Sequence, residues 1–150
     1  MSAEVDSGER RFVDSNLFVY AYDASAGHKR ESARELIAGL WKSGQGCLSV
    51  QVLQEVFVNV TRKVSQPLAA REAATLVEDL SAWRVHSPGP RDVLSAVELH
   101  ERADVSFWDA MILTSARSLG CGVLYSEDLN PGQSYDGVLV VNPLEAEARQ

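Results

Sequence analysis

The strongest constraint on the fold is an alternation of short apolar segments with longer segments whose apolar residues recur every three or four positions. The first kind of segment is typical of a buried strand, and the second is typical of an amphipathic helix. Strands are predicted at residues 11–13, 46–49, 84–86, 123–125 and 138–141. Helices are predicted at residues 17–22, 28–42, 50–64, 67–80, 91–102 and 107–119. Short apolar strands separated by helices predict an α/β fold with a central, mainly parallel sheet of about five strands and helices on both faces.

The helix patterns also predict which side chains are buried. In residues 28–42 the apolar side chains recur on one face as far as Trp41. Residues 107–119 are apolar on most sides, which is typical of a helix buried between other elements. Trp41 and Trp108 lie within these patterns, so we expect their rings in the core rather than stacked on bases.

The chain has 150 residues, of which 45% are apolar and 23% are charged, as in an ordinary globular domain. We expect one domain at residues 11–145, a flexible N-terminal segment at residues 1–10 and a C-terminal tail at residues 146–150. No apolar run is long enough to cross a bilayer, and the polar N-terminal residues lack the apolar stretch of a signal peptide. These features predict a cytoplasmic protein without a membrane partner. Cys47 and Cys121 are expected to be small buried hydrophobes rather than a disulfide or a zinc site.

The net charge of −7 and the pI near 4.9 argue against a protein that coats nucleic acid through its overall field. A local basic rim stays open as an alternative. Its candidates are Arg10, Arg11, Lys29, Arg30, Arg34, Arg62 and Lys63. Because surface Lys and Arg usually form no more than a solvated face, charge alone does not decide between the two.

Four carboxylates stand near places where predicted strands end or predicted helices begin. Asp14 follows the first strand and Asp128 ends the fourth, while Glu55 and Asp109 lie near helix starts. Taken singly, these acids have ordinary explanations: a helix cap, a turn, a solvated helix position and a capping box with the serine three residues earlier. Glu127 and Asp128 are adjacent, so they point to opposite faces of a strand and at most one belongs to the set.

The four acids together favour a functional site over separate structural roles. The carboxyl ends of parallel strands meet at one edge of the sheet, and active sites assemble there. Carboxylates gathered at one edge repel one another until protonation or a cation relieves them. Oxygen ligands without His or Cys suit a hard ion that keeps its waters, so we expect Mg²⁺ or Mn²⁺. Such an ion neutralises a scissile phosphate and activates a water for in-line attack.

Four short motifs, taken in order, resemble those of the PIN-domain ribonucleases, and within that family the VapC-type toxins of prokaryotic toxin–antitoxin pairs. The motifs are FVDSN at residues 12–16, QEV at residues 54–56, FWDA at residues 107–110 and SEDL at residues 126–129. The resemblance covers roughly residues 11–143, which is nearly the whole of the predicted domain.

The resemblance implies a PIN-like three-layer α/β/α fold and Mg²⁺- or Mn²⁺-dependent cleavage of RNA. The catalytic and metal-binding roles fall on four carboxylates, Asp14, Glu55, Asp109 and Asp128. The family pattern selects Asp128 over Glu127, and Asn16 and Ser126 would orient metal ligands or water around the acids. The resemblance also implies a homodimer and a small antitoxin that binds the toxin and blocks its groove.

Other chemistries fit the residues less well. A haloacid-dehalogenase-like hydrolase wants an acid two residues after Asp14, where Asn16 stands. A response-regulator receiver wants a lysine on a late strand, yet the last lysine is Lys63. Residues 100–104, HERAD, approach the zinc motif H-E-x-x-H but lack its second histidine. The main rival is a PIN-like module that binds RNA or protein without turnover, and the sequence does not identify a target RNA.

Overall fold

The structure, a computed structural model, describes residues 9–148. Most of the N-terminal segment expected at residues 1–10 lies outside the described residues, as do residues 149–150 of the expected C-terminal tail. Arg10, which was assigned to that N-terminal segment, is instead the first residue of a strand.

Within the described residues, six strands form one sheet. They are β1 Arg10–Val13, β2 Gly46–Ser49, β3 Arg84–His86, β4 Cys121–Tyr125, β5 Ser134–Tyr135 and β6 Val138–Val141. Their order across the sheet is β3-β2-β1-β4-β6-β5, and every pairing is parallel except that of β5 with β6. The predicted α/β class with a mainly parallel sheet is therefore confirmed, with one strand more than the five expected.

Seven α-helices lie in the described part of the chain. These are α1 Ser15–Ala21, α2 His28–Ser43, α3 Val50–Arg62, α4 Ala70–Leu80, α5 Pro90–Ala103, α6 Phe107–Ser118 and α7 Pro143–Ala148, with a 3₁₀ turn at Ala24–Ala26. None of the helices in the described part of the chain has both the length and the apolar character needed to cross a membrane.

The core forms where the central strands meet the helices. Phe12 and Val13 of β1 are fully buried, as expected for a strand with parallel neighbours on both sides and helices over the sheet. α6 contacts β2, β4 and β6 and packs against α5, whereas α1, α2, α3 and α4 pack with one another. Residues 110–116 are all buried, which confirms the predicted buried helix. Cys47 and Cys121 are buried free thiols, as expected.

The order of the strands reverses between β1 and β4, and we call the carboxyl edge of the sheet at this reversal the crevice. From β1 the chain moves to β2 and β3 on one side, and β4 then returns to the other side of β1. Such a reversal is a topological switch point, and ligands bind there in open α/β sheets. Asp14 directly follows β1 and Ser126 directly follows β4, so both residues stand at this point.

The sixth strand, β5, was missed because it has only two residues. Tyr135 pairs with Val138 across a two-residue turn, in which Asp136 has φ 51° and Gly137 has φ 89°. Asp-Gly is a strong hairpin signal because both turn residues need positive φ. The hairpin was therefore readable from the sequence, although no strand was predicted before it.

Two helix boundaries also differ from the prediction. The helix expected to open at Pro67 begins at Ala70, because the Leu68 N–H bonds back to the Val60 carbonyl at 2.9 Å. The Glu72 carboxylate then accepts the Ala69 N–H at 2.9 Å and caps the helix. At the other end of the chain, α7 runs across the boundary expected at residue 145.

Candidate active site

Asp14 caps a helix and also faces the crevice. Its Oδ1 accepts the Ser15 N–H at 2.8 Å, which caps α1, and its Oδ2 accepts the Ser126 hydroxyl at 2.9 Å. Its own N–H donates to the Tyr125 carbonyl at 3.0 Å, so the β1–β4 ladder continues to the site. Burial, outweighing these two hydrogen bonds and joined by the charges of Glu55 and Asp128, raises the pKa of Asp14 to about 6. Asp14 therefore caps α1 and also lies beside the other acids, so a capping role does not exclude a role in the site.

Glu55 is half-buried on α3 and is held at both carboxylate oxygens. Oε1 accepts the Ser15 hydroxyl at 2.8 Å, and Oε2 accepts the Gln51 side-chain amide at 3.1 Å. Gln51 stands one turn earlier on the same helix, at the spacing that lets side chains meet. Glu55 is thus turned toward Asp14 rather than into solvent.

Asp109 lies in the first turn of α6, where its N–H donates to the Ser106 hydroxyl at 3.1 Å. The expected cap by Ser106 is therefore present. Burial raises the pKa of Asp109 above its ordinary value; the Ser106 hydrogen bond opposes this shift, and the charges of Asp128 and Glu55 add to it. Asp109 consequently shares one electrostatic environment with acids from two other segments.

Glu127 and Asp128 turn in different directions, although β4 ends at Tyr125 and both residues lie in the bend that follows it rather than in the strand, where Asp128 was expected. Asp128 is exposed, and its Oδ2 accepts the Asn16 side-chain amide at 3.2 Å. Glu127 accepts the Tyr20 hydroxyl and pairs with Lys29 at 2.7 Å. Burial acts to raise the pKa of Glu127, but the hydrogen bonds from Lys29 and Tyr20 outweigh it and lower the pKa. Only Asp128 faces the crevice.

Asn16 and Ser126 link the acids to one another. The Ser126 hydroxyl is fully buried; it donates to Asp14 and accepts the Asp128 N–H at 3.2 Å. Asn16 donates to Asp128, while its Oδ1 is buried without a hydrogen-bond partner in the described part of the chain. A buried acceptor of this kind calls for a donor such as a bound water.

Ser15 and Gln51 also hold the site, although neither was singled out from the sequence. Ser15 lies in the motif at residues 12–16, and its hydroxyl donates to Glu55, which is 40 residues away in sequence. Only the packing of α1 against α3 could bring this pair together. Gln51 did leave a local signal, since it stands four residues before Glu55 on a helix.

The four acids fit a hard divalent cation, but they are not already arranged as its ligands. Within residues 9–148, no three His, Cys, Asp or Glu side chains are disposed to hold one ion directly. Three of them, Asp14, Glu55 and Asp128, instead accept hydrogen bonds from serine, asparagine and glutamine side chains. The donor set is all oxygen, two of its acids have raised pKa values, and a water-seeking acceptor stands beside it. A cation that keeps part of its water shell satisfies all three conditions.

Two tryptophans expected in the core are in fact exposed. Trp108 is exposed over 64% of its surface and Trp41 over 45%, whereas Trp83 is buried at 9%. Burial of α6 begins only at Ala110, one turn into the helix, because its first turn stands at the rim of the crevice with Asp109. The apolar periodicity predicts a buried helix, but it does not indicate at which residue of the helix the burial begins.

Comparisons with known proteins give one family and a set of similar structures. The model of the PIN domain family matches residues 11–132. No curated protein matches the chain. Among solved structures, the chain is similar to Mycobacterium tuberculosis VapC20, a sarcin-ricin loop cleaving toxin; the identity is 24%, the TM-score is 0.63, and 79% of this chain and 89% of that chain are covered.

Two toxin–antitoxin complexes have similar structures as well. A complex from Klebsiella pneumoniae has 18% identity and a TM-score of 0.67, with 89% of this chain and 97% of that chain covered. DNA-bound VapBC from Salmonella typhimurium has 20% identity and a TM-score of 0.60, with 88% of this chain and 96% of that chain covered. At these identities the likeness establishes a shared fold.

Proposed function

The chain belongs to the PIN domain family, and on that premise we propose that it is a Mg²⁺- or Mn²⁺-dependent endoribonuclease, the toxin of a toxin–antitoxin pair. The observation that supports the proposal is that Glu55 and Asp128 lie close enough to raise the pKa values of both Asp14 and Asp109, beside the switch point of the sheet. Two of these acids have raised pKa values, so charge is concentrated there at a cost in stability. The RNA cleavage stated for VapC20 agrees with this reading.

The four carboxylates would hold the ion, which when bound neutralises scissile phosphate charge and lowers the pKa of a water. Asp14 stays oriented by Ser15 and Ser126, and Glu55 by Ser15 and Gln51. The unpartnered Oδ1 of Asn16 is placed to accept a hydrogen bond from a water beside Asp128. These contacts fix the acids before substrate arrives, which lowers the reorganisation needed in the reaction.

The direct test is incubation of the purified protein with total RNA in Mg²⁺ or Mn²⁺, with EDTA as the metal-free control. Asp14→Asn is expected to lose cleavage. Glu127→Gln is the matched control, because that neighbouring carboxylate binds Tyr20 and Lys29 instead of facing the crevice, and it should still cut. Discrete fragments in the wild-type and Glu127→Gln lanes alone would support the nuclease, and mapping their ends would identify the target. RNA left uncut by folded, metal-bound protein would favour the non-catalytic binding module.

We also propose an antitoxin partner and a site for it. A groove of about 820 Å³ lies between α1, α2 and α4, where Phe18, Ile37 and Leu76 form an apolar floor and Trp41 is half-exposed. An amphipathic segment can place its apolar face in such a groove. The toxin–antitoxin complexes among similar structures agree with a partner of this kind. If so, Trp41→Ala should still cut RNA but should resist inhibition by an antitoxin that co-purifies with the wild type. Equal inhibition of the wild type and of Trp41→Ala would exclude this groove.

We further propose that the toxin is a homodimer acting in the cytoplasm, where its RNA substrate resides. On α5, Val93, Leu94 and Val97 are 39%, 69% and 41% exposed and share one face. A second copy would cover this face by two-fold symmetry, with the same residues from each chain. Light scattering should give a dimer mass for the wild type and a monomer mass for Leu94→Lys. A dimer that survives this substitution does not use α5.

A further inference from the structure

Trp108 is an exposed aromatic residue that the fold leaves uncovered. It is 64% exposed, although the residues that follow it on α6, 110–116, are all buried. Large aromatic side chains gain by burial, so a tryptophan left in water at the rim of a crevice indicates a surface that contacts something else.

The backbone of Trp108 is tied to the acidic site. Its carbonyl accepts the Gln51 side-chain amide at 3.4 Å, and the same amide nitrogen donates to Glu55 at 3.1 Å. Trp108 also directly precedes Asp109. Its position is therefore coupled to two of the four carboxylates through one short network.

The indole ring is held but not covered. The ring of Phe107 packs edge-to-face against it with centroids 5.1 Å apart and an interplanar angle of 71°. Phe107 itself packs against the hydrophobic core. One aromatic contact thus anchors the indole while leaving much of its surface open to solvent.

Charge does not favour RNA at this place. Four carboxylates meet here and the whole chain carries a net charge of −7, so a polyanion is repelled except where a cation intervenes. Stacking on an aromatic face does not depend on that charge, and it requires a base whose own face is free. Only unpaired nucleotides offer such a face without the cost of opening a duplex.

Resting on the proposed nuclease function, we propose that Trp108 is a stacking platform for an unpaired base next to the scissile phosphate. The platform selects single-stranded segments or loops of RNA over duplex. It sets the register of the strand, because the base on Trp108 fixes which phosphate lies over Asp109 and Glu55. Trp108 is a substrate-positioning residue and takes no part in the chemical step.

The first experiment measures RNA affinity in the Asp14→Asn background in EDTA, so that no RNA is cut and every variant is compared without bound metal. The probes are a fluorescein-labelled single strand of about 12 nucleotides and the duplex of the same sequence. We expect Trp108→Ala to weaken binding of the single strand by about 5- to 100-fold. Trp108→Phe should restore most of the loss, and no change is expected with the duplex. Trp41→Ala is the matched control, since it removes another exposed indole, one that lines the groove between α1, α2 and α4.

A second experiment separates stacking from a general effect on the fold. Single abasic nucleotides are placed at each position of the strand in turn. At one position, loss of the base should weaken binding to the protein that retains Trp108. This loss should be as large as the loss that Trp108→Ala causes with the intact strand. With Trp108→Ala, the same abasic substitution should cost nothing further. The proposal would be overturned if abasic substitution weakened binding equally at every position and if each loss simply added to that caused by Trp108→Ala.

The remaining outcomes distinguish this proposal from its premise. Unchanged single-strand affinity in Trp108→Ala overturns the platform, even if the wild type cuts RNA. A lower oligomer mass in Trp108→Ala with unchanged RNA affinity assigns the ring to a protein interface and also overturns it. Trp108-dependent binding by a wild-type protein that cuts no RNA would leave the platform standing and remove the proposed nuclease.

Discussion

The Asp14 side chain affects the stability of the fold in two opposite ways. Capping α1 through Ser15 stabilises the fold, whereas burial of a carboxylate beside Glu55 and Asp128 destabilises it. The result is a folded-state pKa of about 6 against an ordinary value of 3.8. Because the folded protein holds this proton more tightly than the unfolded chain does, stability falls as pH rises from about 4 to about 6, and the full penalty remains above that range.

The first prediction follows from this sign. In EDTA at pH 7.5, Asp14→Asn should raise the free energy of unfolding by about 1–3 kcal/mol, because the buried charge is removed and the cap acceptor is kept. At pH 4.5 the gain should shrink, since the folded protein already holds the proton there. Urea unfolding at the two pH values measures both gains. A variant less stable than the wild type at pH 7.5 would show that the charged carboxylate does not destabilise the fold.

A second prediction concerns Asp109. Asp109→Asn should lower the rate of RNA cleavage by about 100-fold or more, because a metal-binding carboxylate is lost. The backbone cap from Ser106 is unaffected, so the fold should remain intact by circular dichroism. Asp104→Asn is the matched control: Asp104 is exposed at the end of α5 with φ 57°, a conformation that Asn tolerates. Full cleavage by Asp109→Asn would remove Asp109 from the mechanism.

At the scale of elements, an aromatic cluster joins α1 and α2 to the segment that leads into β3. Trp83 packs edge-on against Phe18 of α1 at 5.4 Å and against Trp41 of α2 at 5.6 Å. Gly46 of β2 lies directly beneath the indole, and a Cβ there would stand 2.5 Å from Cζ3 of Trp83. A side chain at this position would therefore force the Trp83 ring to shift.

The third prediction uses two glycines that differ in surroundings. Gly46→Ala should destabilise the protein by about 1–3 kcal/mol through overpacking against Trp83. Gly39→Ala should stabilise it by about 0.5–1 kcal/mol, because Gly39 lies inside α2 with open space around it. Thermal unfolding of both variants measures the contrast. Equal shifts would mean that the Trp83 ring yields at little cost.

At the scale of the whole molecule, the sheet topology gathers the acids. Asp14 follows β1, Asp128 follows β4, Glu55 is on the helix after β2, and Asp109 begins the helix before β4. Acids that are tens of residues apart in sequence come close in space because parallel strands end at one edge and their order reverses between β1 and β4. Asp14, Glu55 and Asp128 also accept hydrogen bonds from Ser, Asn and Gln side chains, which partly offset the repulsion between the carboxylates.

The fourth prediction is that divalent metal stabilises the whole fold. At a Mn²⁺ concentration about 100 times its dissociation constant, the free energy of unfolding should rise by about 2.7 kcal/mol, since only the folded chain assembles the four acids. For a domain of this size the melting temperature should rise by about 2–4 °C per kcal/mol. The Asp14→Asn variant should show little of this rise. An unchanged melting temperature in millimolar metal would count against the acidic site as a whole.

The family, the α/β class, the parallel sheet and the approximate place of most elements could be predicted from the sequence, and all are confirmed. The class and the elements are set locally, because the period of the apolar residues and the end of each strand depend on neighbouring positions, whereas the family was indicated by the resemblance of four motifs. The roles of Asp14, Glu55, Asp109, Asp128, Asn16 and Ser126 came from motif resemblance and remain predictions.

Only the tertiary structure decided which side chains meet. The Ser15–Glu55 bond, the diversion of Glu127 to Lys29 and the exposure of Trp108 all depend on segments far apart in sequence. Apolar periodicity predicts that a helix has a buried face, but the length of that face is set by whatever packs over it. For the same reason Trp108, placed in the core from its pattern, stands in solvent beside the acids, because the cover over α6 begins at Ala110.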